Sequence, residues 1–282
     1  MTQPLLKTQQ EPSLRATIYY GSSAGIKKIN QDFHGSYTPS DHQLHTKGIT
    51  VAITDGISSS SVSQIASESA IKSFINDYYC TPDTWSVKKS AQRVLHATNS
   101  WLYAQTQNSP FKYYEEKGYI CTFSALIIKL NLAHLFHIGD SRIYRVHQDS
   151  LECMTQDHRS TGSDEHYLTR ALGLKETLVI DHRVIPLAIG DLFILATDGL
   201  YDYINESKLI NLVSTFSSDL DQAVNAAIKI AVANGSPDNL TLQIIRIEAL
   251  PKHSIHLLHQ KEEPLRPAPC LNTNTYSISL TC

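Results

Sequence analysis

The amino-acid sequence predicts an α+β fold in which two packed, largely antiparallel β-sheets carry helix pairs on their outer faces. Three observations support this. Short apolar or alternating runs recur from a first strand at 16–21 to a closing strand at 240–247. Two pairs of segments with helical spacing interrupt them, 62–79 with 85–106 and 205–216 with 218–234. The strands between residues 119 and 155 are joined by links too short for parallel crossovers, which demands antiparallel pairing. Helices that bury one face against such sheets belong outside them, giving α-β-β-α layers.

Taken in order, residues 1–14 are polar with two prolines and read as an arm. After the strand at 16–21, residues 22–32 carry Lys27, Lys28, Asn30, Gln31 and Asp32, too polar for core, so they line a surface or cleft. A loop rich in His, Ser and Pro leads to an apolar strand ending at Asp55. Serines behind it offer helix N-caps, and Val62, Ile65, Ala66, Ile71, Phe74 and Tyr78 trace one face of a helix over 62–79. Pro82-Asp83 opens a second helix, 85–106, expected to pair antiparallel with the first. From Tyr119 the period shortens, and 120–130, 133–138, 141–146 and 151–155 read as hairpin-linked strands of one sheet. Residues 156–165 are polar and expected to be a mobile insert bearing an exposed His158, and such an insert facing a site governs access. Strands at 178–185 and 191–197 follow, then helices at 205–216 and 218–234, the second opened by a Ser218 to Asp221 cap and closed by Gly235. Beyond Leu250 four prolines and no sustained period read as a linker-like tail. The expected organisation is an arm (1–14), one domain (15–249) and a tail (250–282).

Composition narrows the function classes. With 41% apolar residues in 282, the chain can bury one full core. A net charge of -3 and scattered lysines and arginines leave no basic footprint, which argues against nucleic acid as partner. Five widely spaced cysteines without a Cys-x-x-Cys pair argue against a disulfide framework or thiolate zinc site and for a reducing compartment. No signal peptide is evident, and no apolar run approaches the roughly 18 residues of a membrane span. The expectation is a cytoplasmic monomer without membrane contact.

The chemistry concentrates where strands stop. The apolar run at 192–196 ends at Thr197-Asp198-Gly199, a second run ends at Asp55-Gly56, a third at Gly139-Asp140, and Asp238 immediately precedes the closing strand. Asp-Gly is a common turn dipeptide, and a single such site would read as a turn. Four of them, in a chain with only 18% charged residues, point to convergence on a shared centre. Carboxylate oxygens held on rigid strand ends suit hard divalent cations such as Mg²⁺ or Mn²⁺. His134 and His137, three apart on a strand, face opposite sides and do not chelate jointly. Arg142 and Arg170 read as partners in structural ion pairs.

These residues also carry a resemblance. NQD (30–32), TDG (54–56), GDSRIY (139–144), LTRALG (168–173), ATDGLYD (196–202) and SPDNLT (236–241) are similar, in order, to motifs of the metal-dependent protein phosphatases of the 2C class. NQDFHG, DGISSSSVSQIASE and HLFHIGDSRIYR more narrowly resemble the phosphatase half of bacterial proteins that join such a domain to a serine/threonine kinase domain. The resemblance implies the sandwich fold of that family. It implies that Asp55, the Gly56 carbonyl, Asp198 and Asp238 hold two Mn²⁺ or Mg²⁺ ions. Asp32 would hold a metal-bound water, and Asp140 would join a weaker third site. It further implies hydrolysis of phosphoserine and phosphothreonine in protein substrates by direct attack of a metal-bridging hydroxide, opposite the action of a cognate kinase.

Three positions depart from the family pattern. Lys27 stands where an arginine usually clasps phosphate, Gln31 stands where Glu is frequent, and Ile57-Ser58-Ser59 lacks the histidine offered as general acid in some relatives. Lys27 would still supply positive charge to the catalytic site, without the bidentate fork. The competing expectation is a catalytically weak, phosphatase-like module that binds phosphoproteins. A haloacid-dehalogenase-type phosphohydrolase would need a D-x-D-G-T/V nucleophile motif, and none ends a strand here.

Overall fold

The computed structural model describes residues 13–147, 150–160 and 167–251. The chain runs through β1 (Arg15–Ser23), β2 (Asp32–Tyr37), α1 (Asp41–Thr46), β3 (Ile49–Asp55), α2 (Ser63–Cys80) and α3 (Val87–Gln107). It continues through β4 (Phe123–Lys129), β5 (Leu132–Ile138), β6 (Arg142–His147), β7 (Ser150–Cys153), β8 (Asp181–Pro186) and β9 (Leu192–Ala196). It closes with α4 (Asp198–Tyr201), α5 (Glu206–Thr215), α6 (Leu220–Ala233) and β10 (Leu240–Ala249). Among the described residues these strands form two five-stranded sheets, in the orders β1-β10-β9-β6-β7 and β2-β3-β4-β5-β8. Every strand pairing is antiparallel.

Three apolar layers explain why several strands read as continuous rather than alternating hydrophobic runs. Between the sheets, Ile49, Val51, Ile53, Leu126 and Ile128 meet Ile143, Phe193, Leu195, Ile245 and Ile247. The opposite faces of the same strands, Ala52, Ala125, Ile127 and Phe136, pack under α2 and α3 through Ala66, Phe74, Tyr78, Leu95 and Leu102. On the other side Ile194, Ala196, Leu242 and Ile244 pack under α4, α5 and α6. A strand covered on both faces has no polar side to show. Phe74 is fully buried and meets Phe123 edge-on at 4.9 Å between ring centres. Truncating it to Ala would cost about 3–5 kcal/mol by emptying the centre of that layer.

Several expectations change. Residues 32–37, read as turn and loop, form strand β2, and a short helix α1 follows it. The hairpins β4-β5 and β6-β7 belong to different sheets, because the chain crosses between sheets at Gly139-Asp140-Ser141. The strand expected at 178–185 is Asp181–Pro186. Helix α6 begins at Leu220 with Asp219 as N-cap and no side-chain cap bond, so the Ser218 to Asp221 box does not form, whereas the Asn205 side chain does cap α5, accepting from the Lys208 N–H at 2.8 Å. Leu14, assigned to the arm, is buried in the inter-sheet layer. The rest of the arm up to residue 12 and the tail from residue 252 lie outside the described residues. Among the described residues no helix is long and apolar enough to cross a membrane.

Candidate active site

The registers of the two sheets bring the four strand-end carboxylates to one edge. β2 starts at Asp32, directly opposite Asp55 at the end of β3. In the other sheet Ala196, the last residue of β9, pairs with both Leu242 and Arg142, so Asp198, Asp238 and Asp140 all lie just past that rung. Hydroxyl bonds lock the sheets together here. Thr122 Oγ1 accepts from the Asp55 N–H at 2.9 Å, the Thr122 N–H donates to the Asp55 carbonyl at 2.8 Å, and Thr122 Oγ1 shares a 2.7 Å bond with Ser141 Oγ. Gly199 permits the closest approach: a Cβ there would stand 2.0 Å from the Asn239 carbonyl oxygen, so only glycine lets the turn carrying Asp198 press against the loop carrying Asp238.

Asp55, Asp140, Asp198 and Asp238 line one cleft of about 860 Å³, with Arg159 among them and Ile57, Ile120, Leu168 and Leu174 as apolar wall. Asp32 lies behind Asp55, buried, its Oδ2 accepting from Thr197 Oγ1 at 2.9 Å and Thr241 Oγ1 at 2.7 Å. A second cleft, of about 590 Å³, contains Asp181, but that carboxylate is already paired with Arg170 and His158.

The electrostatics of the first cleft are dominated by buried carboxyls that repel one another. Burial lifts the Asp55 carboxyl well above the usual carboxylate range, and repulsion from Asp32, Asp198, Asp140 and Asp238 lifts it further. Burial pushes Asp32 up to about 7 against the pull of its two threonine hydroxyls. Asp140 is pushed up to about 6 by burial and by Asp198, with Arg159 opposing. Asp32 Oδ1 and Asp198 Oδ1 are buried without any hydrogen-bond partner, a condition that folded proteins rarely tolerate.

Two cations of the chain sit on the other oxygens. Lys27 Nζ pairs with Asp238 Oδ1 and donates to Ser58 Oγ at 2.7 Å. Arg159 donates from Nε to Asp140 Oδ2 at 2.5 Å and from Nη2 to Asp198 Oδ2 at 2.7 Å. With the side chains so arranged, no group of three or more His, Cys, Asp or Glu among the described residues closes tightly enough around one point to hold a metal ion. The donor set nonetheless suits a hard dication: every donor is oxygen, two buried oxygens are orphaned, and the carboxylates repel one another.

Gln31 positions the loop that follows Asp55: its Nε2 donates to the Ser60 carbonyl and to Ser63 Oγ, both at 2.6 Å. An amide makes both bonds as donor, which a glutamate carboxylate could not. Asn239 completes the support, accepting from the Gln31 N–H at 2.8 Å and donating to the Ala24 and Ile29 carbonyls at 3.0 Å. Of the other candidates, Arg142 makes a forked pair with Asp157 at 3.0 and 2.8 Å, and Arg170 pairs with Asp181 at 2.9 Å. His134 and His137 take separate partners, the first stacking on His182 and the second bonding Ser124 and the Gln156 carbonyl.

His158 corrects the sequence reading: it is buried, because residues 156–160 fold back on the Gly139 turn. Its N–H donates to the Gly139 carbonyl at 2.8 Å, its Nδ1 accepts from the Gly139 N–H at 3.0 Å, and its Nε2 is left to donate to Asp181 at 3.1 Å. Arg159, the next residue, was not foreseen as part of the site. The one available signal was a cation needed to offset the acidic strand ends, and nothing local marks Arg159 as that cation.

Comparison with known proteins gives the family and the fold. The family model described as "Protein phosphatase 2C" matches residues 23–232. The chain is 24% identical over 250 residues to the serine/threonine phosphatase stp of Listeria welshimeri, covering 80% of this chain and 94% of that one. Among solved structures it is similar to the Streptococcus agalactiae serine/threonine phosphatase, with TM-score 0.72, 22% identity, and 83% and 100% of the two chains covered. It is also similar to the catalytic domain of the phosphatase PstP in complex with two manganese ions, with TM-score 0.69, 22% identity, and 84% and 100% covered.

Proposed function

The chain belongs to the protein phosphatase 2C family, and from that premise we propose that it hydrolyses phosphoserine and phosphothreonine in proteins in a reaction that requires Mn²⁺ or Mg²⁺. The observation that carries this reading is the Asp55 carboxyl, held at a strand end against four other carboxylates. A phosphate dianion approaching such a cleft is repelled, so a site of this charge serves phosphate only when dications reverse its sign. Asp55, the Gly56 carbonyl, Asp198 and Asp238 would hold two such ions, while the third-site candidate Asp140 is paired with Arg159. When bound, the ions supply an acidified water as nucleophile and neutralise the phosphoryl oxygens.

The chain's own residues do the rest. Asp32, with its orphaned Oδ1, orients water and accepts a proton at that atom. In the metal-free cleft burial raises the pKa of its carboxyl, and dications bound beside it would draw that proton off. Thr197 and Thr241 fix its other oxygen. Lys27, with about a quarter of its side chain exposed, is bonded to Asp238 and Ser58, two residues that line the cleft, and would offer a phosphoryl oxygen a point charge. Ile57, Leu168 and Leu174 give the substrate chain an apolar wall.

Hydrolysis of an aryl phosphate by the full chain with Mn²⁺, with EDTA, and by Asp198→Asn tests the proposal. Turnover is expected only in the first case. A well-folded protein that binds a phosphothreonine peptide yet shows no turnover in Mn²⁺ would instead be a phosphoprotein-binding module, and metal-independent turnover would remove the ions from the mechanism.

A further inference from the structure

Arg159 is unusual in joining two of the cleft's carboxylates at once. One edge of its guanidinium spans Asp140 through Nε and Asp198 through Nη2. The Asp140 side chain is only 8% exposed and that of Arg159 21%, so the bridge is largely shielded from water. The backbone around it is fixed on both sides. His158 exchanges hydrogen bonds with Gly139, next to Asp140, and Arg159 forms a β-bridge with Leu168, flanked by bonds from the Ser160 N–H to the Tyr167 carbonyl and from the Thr169 N–H to the His158 carbonyl, each 2.8 Å. Tyr201 Oη donates to the Asp140 carbonyl at 2.9 Å, which holds the carboxylate's own turn in place. The arginine is thus presented to the acidic pair by a fixed ladder.

A guanidinium suits this place because its planar fork reaches two separate oxygens and its charge cannot be titrated away. It also occupies the oxygens that a dication would take. We infer that Arg159 is a resident counter-ion of the Asp140–Asp198 pair: it neutralises that side of the cleft without metal and excludes a further divalent ion from it. Asp198 then turns to bound ions with Oδ1, its unpartnered oxygen, while Oδ2 stays with Arg159. Asp140 becomes an anchor for the arginine, and divalent ions gather on the Asp55 and Asp238 side. This rests on the reading of the cleft as a metal centre.

The test counts ions. Mn²⁺ binding to the full chain is followed by isothermal titration calorimetry and by loss of the free Mn²⁺ resonance, for wild type, Arg159→Ser, Arg159→Gln and Arg159→Ser/Asp140→Asn. The inference predicts that either single variant takes up one more Mn²⁺ than wild type and that the double variant loses that extra ion. It also predicts that without metal the single variants melt below wild type, and that Mn²⁺ raises their melting temperature by more than it raises the wild type's. Arg159→Gln keeps most of the side chain's bulk, so one of the two variants is expected to stay folded, as circular dichroism would show. Equal ion counts in wild type and both single variants, or an extra ion that survives Asp140→Asn, would overturn the inference while leaving the metal centre intact. An absence of Mn²⁺ binding in every form, wild type included, would overturn the metal centre itself.

Discussion

Two clusters of buried titratable groups lie on either side of the Gly139 turn, and they are built on opposite principles. In the histidine cluster every polar atom has a protein partner: His137 bonds Ser124 and the Gln156 carbonyl, and His158 bonds Gly139 and Asp181. Burial holds His137 near 4, so it stays neutral. In the acidic cleft Asp32 and Asp198 each keep a buried oxygen without a partner, and Asp55 is surrounded by like charge. A cluster whose hydrogen bonds close within the chain is scaffold. Under the proposed function, the cluster that stays open and repulsive is the one a ligand completes, its binding offsetting the cost of the unpartnered oxygens.

The sharpest way to break this contrast is Asp55→Asn. In the scaffold reading an isosteric amide would disturb stability and leave chemistry alone. In the proposed reading it removes the central donor of the site, and Mn²⁺-dependent hydrolysis falls on the order of 10³-fold, about 4 kcal/mol of barrier. In chelator the same variant is expected to melt above wild type, since neutralising Asp55 relieves its repulsion with Asp32, Asp198, Asp140 and Asp238. Activity measured with Mn²⁺ and melting measured in EDTA should therefore move in opposite directions. A variant that loses both would place Asp55 among the scaffold residues.

How much of this was legible depended on whether a feature was local. Asp55, Asp140 and Asp198 stood out because each follows a mostly buried strand, and Asp238 because it precedes one. Strand β2 left no such trace. It lies at a sheet edge, its six residues DFHGSY include only Phe33 and an exposed Tyr37 as large hydrophobic side chains, and it packs through Gly35, where a Cβ would come within 2.6 Å of Ile71. The sheet change between β5 and β6 was equally hidden, since a three-residue link looks like a hairpin and only the positive φ of Gly139, 108°, marks the crossing. His158 and Arg159 lie in a polar stretch whose burial depends on Gly139, Asp140 and Asp198, partners up to 39 positions away.

Acidity separates the two clusters next, with opposite signs. Asp32 and Asp140 have native pKa values raised from 3.8 to about 7 and about 6, and Asp55 is raised in the same direction. The native state keeps protons that the unfolded chain has released. Their contribution is complete below about 3.8 and is lost as pH rises through those values. His134 and His137 are lowered from 6.5 to about 4, so their contribution is complete above about 6.5 and is lost as pH falls through 4. Of these groups, only the carboxylates still titrate above pH 6.5. Metal-free protein is therefore expected to lose melting temperature between about pH 6.5 and 8, while saturating Mn²⁺ flattens or reverses that slope, because ion binding needs the carboxylates deprotonated. Parallel slopes with EDTA and with Mn²⁺ would mean that the two clusters do not differ as described.

The smallest of these effects tests the scaffold side, through His158→Ala. The imidazole Nδ1 is the acceptor for the Gly139 N–H, and Nε2 holds Asp181. Removing the ring leaves that backbone donor without its partner and opens a space beside His137, whose ring centre lies 4.8 Å away. A loss of about 1–3 kcal/mol follows for the unpaired donor, readable by urea denaturation. Because Asp140 comes directly after Gly139, the same change loosens the carboxylate that anchors Arg159. Hydrolysis is then expected to fall modestly, with affinity for Mn²⁺ moving more than the rate at saturating metal. Asn at position 158 offers a shorter acceptor and should recover part of the stability. If His158→Ala instead abolished turnover at saturating Mn²⁺ without loss of stability, His158 would belong to the reacting centre, and the line between closed scaffold and open site would have to be drawn on the other side of Gly139.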